Sequence, residues 1–184
     1  MTQKLRDSTT LFDRPVDEAT LSEWTAQAAA PKPARHAPRT AALLVRAGVE
    51  WIGIPTSMVD AALPAGPVHS VPYLSGRAFL GLCNVDGELA PCVSLAELVG
   101  AQPGQGPASP RFIAVVTVHG RFVLKVDEAF GTCGFDPAEL SSPPDTLARS
   151  AGQVVSAMTM MEGRLAGVAD EEKLGLALLA SLRP

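Results

Sequence analysis

The sequence predicts a mostly β domain of short antiparallel strands, arranged as a barrel or a sandwich. Four glycine dipeptides, Ala47-Gly48, Asp86-Gly87, His119-Gly120 and Glu162-Gly163, each lie between apolar stretches and predict four hairpins. Short strands joined by glycine turns are typical of barrels and sandwiches, whereas a parallel sheet needs long crossover connections. The predicted class is therefore antiparallel β, with a few helices.

The strongest local pattern lies in residues 77–100. Apolar strands at 80–85 and 88–93 flank Asp86-Gly87, which favours a two-residue turn because a type I′ turn needs positive φ at both central positions. Ser94 and Glu97 then form a Ser-x-x-Glu capping box, and Gly100 suits the left-handed end of a short helix. This unit contains no nucleophile paired with a base and no phosphate loop, so we expect a structural hairpin whose loop faces a partner.

The remaining elements are less sharply marked. Residues 111–118 and 121–126 predict a second strand pair, and residues 102–110 and 137–144 are rich in proline or glycine and predict loops. Acidic residues at 170–172 suit the first turn of a C-terminal helix. The apolar residues that recur there at helical spacing are Leu174, Ala177, Leu178 and Leu182.

Residues 1–39 differ from the rest of the chain and predict a leader, followed by a domain at 40–184. Prolines 31, 33 and 38 exclude one continuous helix, but Thr20 and Glu23 form a second capping box, so a short helix from about residue 21 to 29 is expected. Trp24 in this polar leader favours burial, either against the domain or on another protein.

Composition excludes several functional classes. With 184 residues, 47% hydrophobic and 18% charged, the chain can bury a core and is not disordered throughout. A net charge of −4 argues against nucleic-acid binding, which needs clustered lysine and arginine. The chain has no apolar signal core and no run long enough to cross a membrane, so we expect a cytoplasmic protein without direct membrane insertion.

Neither metal binding nor catalysis is predicted. Across the central hairpin Cys83 should face Ala90, and Cys92 should lie diagonally from Cys83, too far for an unstrained disulfide. The chain has no Cys-x-x-Cys pair, its three histidines are far apart, and the usual hydrolase, zinc-protease and nucleotide motifs are missing. We therefore expect a non-enzymatic protein without cofactor or metal, in which the cysteines are buried apolar residues.

The central unit resembles the CheW-like family of chemosensory coupling proteins. That family has a hydrophobic strand, Asn-Leu-Arg-Gly, a second strand with proline, and a short helix ending near Leu-Gly. This chain shows Asn84-Val85-Asp86-Gly87, Pro91 and Leu98-Val99-Gly100. The resemblance covers residues 40–183, and its other parts are an opening strand at 50–55, a first short helix at 58–60, loops at 69–72 and 142–144, a strand at 123–127, and a last hairpin and helix at 162–165 and 171–174.

The resemblance implies a fold, a role and a site. The fold is two small SH3-like five-stranded barrels packed on a shared core, with short helices and a C-terminal helix. The role is an adaptor between the cytoplasmic tip of a methyl-accepting chemoreceptor and the regulatory domain of a CheA-type histidine kinase, at membrane-associated receptor arrays. The residues implied in partner binding are Val59, Asp60, Asn84, Asp86, Glu88 and, in the leader, Trp24.

Two positions depart from the family pattern. Asp86 replaces the arginine of the hairpin turn, and Ala61 replaces a glutamate of the first short helix; both family residues are associated with partner contact. Exchanging a cation for an anion reverses the local field. Either the partner carries a compensating basic residue, or the chain uses other contacts, or Asp86 serves only as a good turn residue.

Other interpretations remain open. A peptide-binding SH3-like scaffold outside receptor arrays is the main alternative, and a small-molecule sensor would require a buried pocket with convergent polar groups. The elements at 11–15 and 23–25 also resemble the leader of coupling proteins from Wsp-type surface-sensing systems. Those leaders carry a Cys-rich segment further upstream that this chain lacks.

Overall fold

The structure, a computed structural model, describes residues 40–72, 74, 76–104, 109–143 and 154–183. The predicted leader, with its short helix and Trp24, lies outside the described residues, so the domain boundary at 39/40 stays a prediction. The strands are β1 Thr40–Ala47, β2 Glu50–Pro55, β3 Val59–Pro64, β4 Phe79–Val85, β5 Glu88–Ser94, β6 Arg111–Thr117, β7 Gly120–Val126, β8 Glu128–Phe135, β9 Val155–Met161 and β10 Arg164–Ala169. The helices are α1 Leu95–Val99, the 3₁₀ turn Pro137–Glu139 and α2 Glu171–Ser181.

The described strands form two five-stranded sheets with the same internal plan. The first has the order β8-β1-β2-β10-β9 and the second β3-β6-β7-β5-β4. In each sheet two hairpins meet through one parallel pair, β2 with β10 and β5 with β7, and the fifth strand pairs antiparallel at one edge. Each half of the chain gives two strands to one sheet and three to the other. The mostly β prediction with two five-stranded units is confirmed.

Three apolar clusters hold this arrangement together, since neighbouring strand residues point to opposite faces. One cluster, which includes Leu44 and Met161, comes from the first sheet alone. A second, which includes Cys83 and Val123, comes from the second sheet alone. The third and largest lies between the sheets, takes residues from both, and is covered by α1 and α2. Strands such as β1 are therefore buried on both faces, and each sheet curves around its own interior.

The four predicted hairpins all form, although two turns are displaced by one residue. The turns at Asp86-Gly87 and Glu162-Gly163 lie where predicted, between Val85 and Glu88 and between Met161 and Arg164. The other two turns centre on residues 48–49 and 118–119. Turn position depends on strand register, which cross-strand packing decides as much as the local sequence does.

The prediction of a short helix at 58–60 is wrong. Val59 begins β3, and the burial of this strand alternates residue by residue between half-buried and exposed positions. An alternation with a period of two is expected for a strand that has one packed face and one face in contact with solvent. Strand β3 pairs antiparallel with β6, from Val59 with Val115 to Pro64 with Arg111. Strand β8 was not predicted. Its glycines hide the pattern, but its alternate residues Cys133 and Phe135 are buried.

The first helix begins at the predicted Ser94 cap, and in the C-terminal helix Asp170, expected in the first turn, is the N-cap. The Ser94 hydroxyl accepts a hydrogen bond from the Glu97 backbone N–H, and Gly100 ends α1 with φ of 63°. At α2 the Asp170 carboxylate accepts from the Lys173 N–H at 2.9 Å. Among the described residues, neither helix has the length and apolar character that crossing a bilayer requires.

Candidate functional site

The central hairpin has the turn conformation that its own sequence favours. Asp86 and Gly87 have φ of 53° and 90°, as a type I′ turn requires. The Asn84 side-chain oxygen accepts a hydrogen bond from the Gly87 N–H at 2.9 Å, which stabilises the turn. Asn84 pairs with Leu89, which is 66% exposed. Asn84 therefore supports the loop, while Asp86 at its tip is open to solvent.

Arg121 brings three of the predicted site residues together. Its Nη2 donates to the Asp60 carboxylate and lies 3.5 Å from Oδ2 of Asp86, while its Nη1 lies 3.5 Å from Oε2 of Glu88. The four residues, called here the Arg121 cluster, come from β3, the β4–β5 hairpin and β7. The three acids are among the residues that the sequence predicts for partner contact, whereas the arginine that joins them is not.

The Arg121 side chain lies at the base of the cluster and the acids at its rim. Its side chain is 23% exposed, compared with 40% for Asp60, 72% for Asp86 and 77% for Glu88. Arg121 also lies two residues before Val123 on the same strand face, and Val123 belongs to the interior of the second sheet. A charged residue where the period-two pattern calls for an apolar one was the sequence signal that could have found it.

The charges of this cluster act on the guanidinium. Desolvation lowers the pKa of Arg121, but the hydrogen bond and attraction to Asp60, together with those to Asp86, outweigh it and raise the pKa of Arg121 above the ordinary arginine value. The cation is therefore permanent. Three carboxylates and one guanidinium leave the cluster with a formal charge of −2.

The other predicted site residues lie elsewhere. Val59 is half-buried and packs against the core between the two sheets, so it supports β3 and does not share the exposed surface of Asp60. Ala61, at the position of the family glutamate, packs against the interior of the second sheet. Trp24 is outside the described residues.

An equivalent cluster occupies the first sheet. Trp51 on β2 follows its turn by the same step as Arg121 on β7, since Trp51 pairs with Arg46 and Arg121 with Val116. The guanidinium carbon of Arg164 lies 4.7 Å from the Trp51 ring centroid and 4.5 Å from that of Phe130. Position by position, the equivalences are Trp51 with Arg121, Phe130 with Asp60, Glu162 with Asp86, and Arg164 with Glu88.

This equivalence shows that the fold offers the same four positions twice. In both sheets one residue lies at a strand bulge, Asp60 in β3 and Phe130 in β8. In both hairpins the first turn residue has positive φ, 53° for Asp86 and 49° for Glu162. At these positions the first sheet has Arg164 against two aromatic rings, and the second has Arg121 against three carboxylates.

An open pocket of about 570 Å³ lies beside the start of α2 and adjoins the Arg121 cluster, because Val116 on its wall pairs with Arg121 across β6 and β7. Val116 and Val118 on its wall are 51% and 90% exposed, which is unusual for valines so close together. The Ser57 hydroxyl donates a hydrogen bond to the Glu171 carboxylate at its rim. The pocket is lined by Ser57, Met58, Val116, Thr117, Val118, Glu171 and Glu172.

The described cysteines are free and held in the thiol form. Burial raises the pKa of the Cys83, Cys92 and Cys133 thiols, and burial together with the nearby Cys83 raises the pKa of Cys92 to about 12. A neutral thiol is a poor nucleophile and a poor metal ligand. Within the ranges that the structure describes, no group of three or more His, Cys, Asp or Glu side chains is placed to hold a metal ion.

Comparison with known proteins agrees with this architecture. The family model of the CheW-like domain matches residues 41–176. Among solved structures, the crystal structure of the scaffolding protein TtCheW from Thermoanaerobacter tengcongensis is similar, with a TM-score of 0.63 and 16% identity over 76% of this chain and 90% of that one. A search of curated proteins finds no match. The chain belongs to the family of CheW-like domain proteins.

Proposed function

We propose that this chain couples the cytoplasmic tip of a methyl-accepting chemoreceptor to the regulatory domain of a CheA-type histidine kinase, in the cytoplasm at membrane-associated receptor arrays. Membership of the CheW-like family and the two-sheet fold support a non-enzymatic coupling role in chemotaxis signalling. An adaptor of this kind needs two separate surfaces, one for each partner. The described residues offer two candidates that differ in chemistry.

The observation that carries the proposal is the Arg121 cluster. The resemblance assigns partner contact to the hairpin and to the strand of Asp60, and these segments meet at one guanidinium although they are 26 or more residues apart in the chain. Arginine is enriched at protein interfaces and their rims are polar, and this surface combines exposed carboxylates with a partly buried arginine. We assign this surface to the kinase regulatory domain, with Asp60, Asp86 and Glu88 in contact and Asn84 in support.

The pocket beside α2 is the candidate surface for the receptor tip. Chemoreceptor tips are helical hairpins, and an amphipathic helix binds a groove through a few apolar anchors. Exposed Val116 and Val118 supply the apolar wall, while Glu171 and Glu172 favour a helix with basic residues at its edge. The pocket and the Arg121 cluster have no residue in common, but they adjoin, since Val116 pairs with Arg121 across β6 and β7. The two partners would therefore bind neighbouring surfaces.

The same pocket favours the alternative function of a peptide-binding scaffold outside receptor arrays. An open apolar pocket with two carboxylates would accept a short basic peptide as well as a receptor helix. The leader elements at 11–15 and 23–25 support a narrower version of the main proposal, in which the pathway is a Wsp-type surface-sensing system and Trp24 contributes to the interface.

Titration of the full chain against two purified partners tests the proposal. We expect saturable binding to the kinase regulatory domain and, separately, to a receptor-tip fragment, with both bound in a ternary mixture. Val118→Asp should weaken receptor binding alone, and Trp24→Ala reports on the leader. Binding of short basic peptides with no binding of either partner would contradict the coupling role and favour the scaffold.

A further inference from the structure

We infer that Arg121 determines the specificity of the partner surface by positioning Asp60, Asp86 and Glu88 as a fixed acidic rim. The inference rests on the proposed function for the identity of the partner, the kinase regulatory domain. It assigns to Arg121 on β7 the cation that CheW-like proteins carry on the hairpin turn. The surface recognised would be one with basic side chains.

The geometry gives Arg121 a role that no other described side chain shares. A single guanidinium contacts acids from β3 and from both sides of the hairpin turn, and these lie 61, 35 and 33 residues away in sequence. Its Nε is buried and has no hydrogen-bond partner, so all of its donor contacts go toward the rim. The hairpin tip is thereby tied to β3, which enters the sheet from its opposite edge.

Electrostatics explains why the tie is needed. Three carboxylates gathered at one end of a sheet repel one another, and the repulsion is strong where low-dielectric protein lies beneath them. Arg121 offsets part of that charge from below and leaves a formal −2 facing outward. The Arg121 side chain is 23% exposed, whereas Asp86 and Glu88 are more than 70% exposed, so the acids present most of the cluster's surface to a partner.

The hairpin tip carries a negative charge where the family pattern has a positive one, and this difference favours partners with basic side chains. A partner surface with acids suited to a hairpin arginine would meet Asp86 and Glu88, and like charges brought together at an interface are unfavourable. A partner with lysine or arginine at that place would be attracted. The same hairpin fold can therefore couple to a different kinase surface through the sign of its exposed charge.

The first experiment measures positioning in the isolated chain. Arg121→Met removes the charge and keeps an apolar stem, and hydrogen exchange of the Gly87 amide, which donates to Asn84, reports on the turn. We expect exchange of the Gly87 amide to be about tenfold faster, because local opening of the turn no longer has to break the ion pairs between residue 121 and the acids. The matched control is Arg77→Met. The Arg77 side chain is 89% exposed and forms a single ion pair with Glu97 at 2.7 Å, so its replacement should leave the exchange rate of the Gly87 amide unchanged. Unchanged Gly87 exchange in Arg121→Met would overturn the positioning role.

The second experiment separates specificity from structure. The double variant Asp86→Arg/Arg121→Asp restores opposite charges with their places exchanged. We expect Gly87 exchange near that of the unmodified chain but binding to the regulatory domain about tenfold weaker or more, since the exposed charge at the tip is reversed. Arg121→Lys, which keeps the charge, should lose less affinity than Arg121→Met.

Each result has a definite meaning. Recovery of both exchange protection and affinity in the double variant would mean that Arg121 is merely structural and would overturn the specificity claim. If the unmodified chain does not bind a kinase regulatory domain at all, the proposed function fails and the specificity claim fails with it. The positioning of the acidic rim is then decided by Gly87 exchange alone.

Discussion

Gly81 lies where the central hairpin is fastened to the rest of the second sheet. It follows a bulge in β4, has φ of 136°, and faces the backbone of His69. His69 and Leu82 exchange two backbone hydrogen bonds, both 2.8 Å, which join the segment after β3 to the edge of β4. A Cβ added at Gly81 would come closer than 3.0 Å to the His69 carbonyl oxygen. Gly81→Ala should therefore separate these two segments.

The expected magnitude has two parts. Forcing alanine into this φ region costs about 1–2 kcal/mol. Losing the two hydrogen bonds with His69 adds about 1–3 kcal/mol at 0.5–1.5 kcal/mol each. Gly131→Ala is the matched control, because Gly131 also follows a strand bulge, has φ of 146°, and has open space where its Cβ would lie. It should lose only the backbone part.

Equilibrium urea unfolding measures the difference. We expect Gly81→Ala to lower the free energy of unfolding by about 2–5 kcal/mol and Gly131→Ala by about 1–2 kcal/mol, with an unchanged slope of that free energy against urea concentration. In a chain of this size the gap between them, about 1–3 kcal/mol, corresponds to about 2–12 °C in melting temperature. Equal losses in the two variants would refute the reasoning, because the His69 contact would then carry no energy.

Three further predictions concern charge, capping and pH. Asp86→Arg should weaken binding to the kinase regulatory domain about tenfold, while Glu162→Arg, at the equivalent turn position of the other hairpin, should leave it unchanged; tighter binding of the first variant would contradict this. Asp170→Ala removes the cap of α2 and should cost about 1 kcal/mol of unfolding free energy, and a loss near zero by urea titration would be the contrary result. The buried Cys92 has a pKa raised from 9.0 to about 12. Between pH 9 and 12 the folded chain keeps a thiol proton that the unfolded chain releases. The contribution of Cys92 to the free energy of unfolding is therefore fully present below pH 9 and should fall by about 1.4 kcal/mol per pH unit from there to pH 12. A Cys92→Ala variant should lose less unfolding free energy over that range.

Local chemistry made much of the fold predictable. The Asp86-Gly87 turn, the Ser94 cap and the acidic first turn of α2 each depend on a few neighbouring residues, and the structure has all three. The pairing of β3 with β6 and the two parallel pairs depend on distant segments, which no local pattern encodes. For that reason Val59 was expected in a helix, and β8, interrupted by glycines, was not expected at all.

The site was predictable in part for the same reason. Asp60, Asp86 and Glu88 were selected by resemblance, and the structure places them around one cation. Arg121 was not selected because its importance arises from contacts with residues 33–61 positions away. From the sequence, Asp86 could be compensated by a partner, could belong to a different set of contacts or could be only a turn residue. The fold places the Arg121 cation 3.5 Å from its carboxylate. The pocket beside α2 likewise joins segments more than 50 residues apart.

Calorimetric titration of the full chain into a purified CheA-type regulatory domain tests the central claim most directly. We predict saturable binding that Arg121→Met weakens about tenfold and Arg77→Met leaves intact. Absence of heat and of complex formation with the regulatory domain, with the chain folded, would contradict the coupling role assigned to this surface.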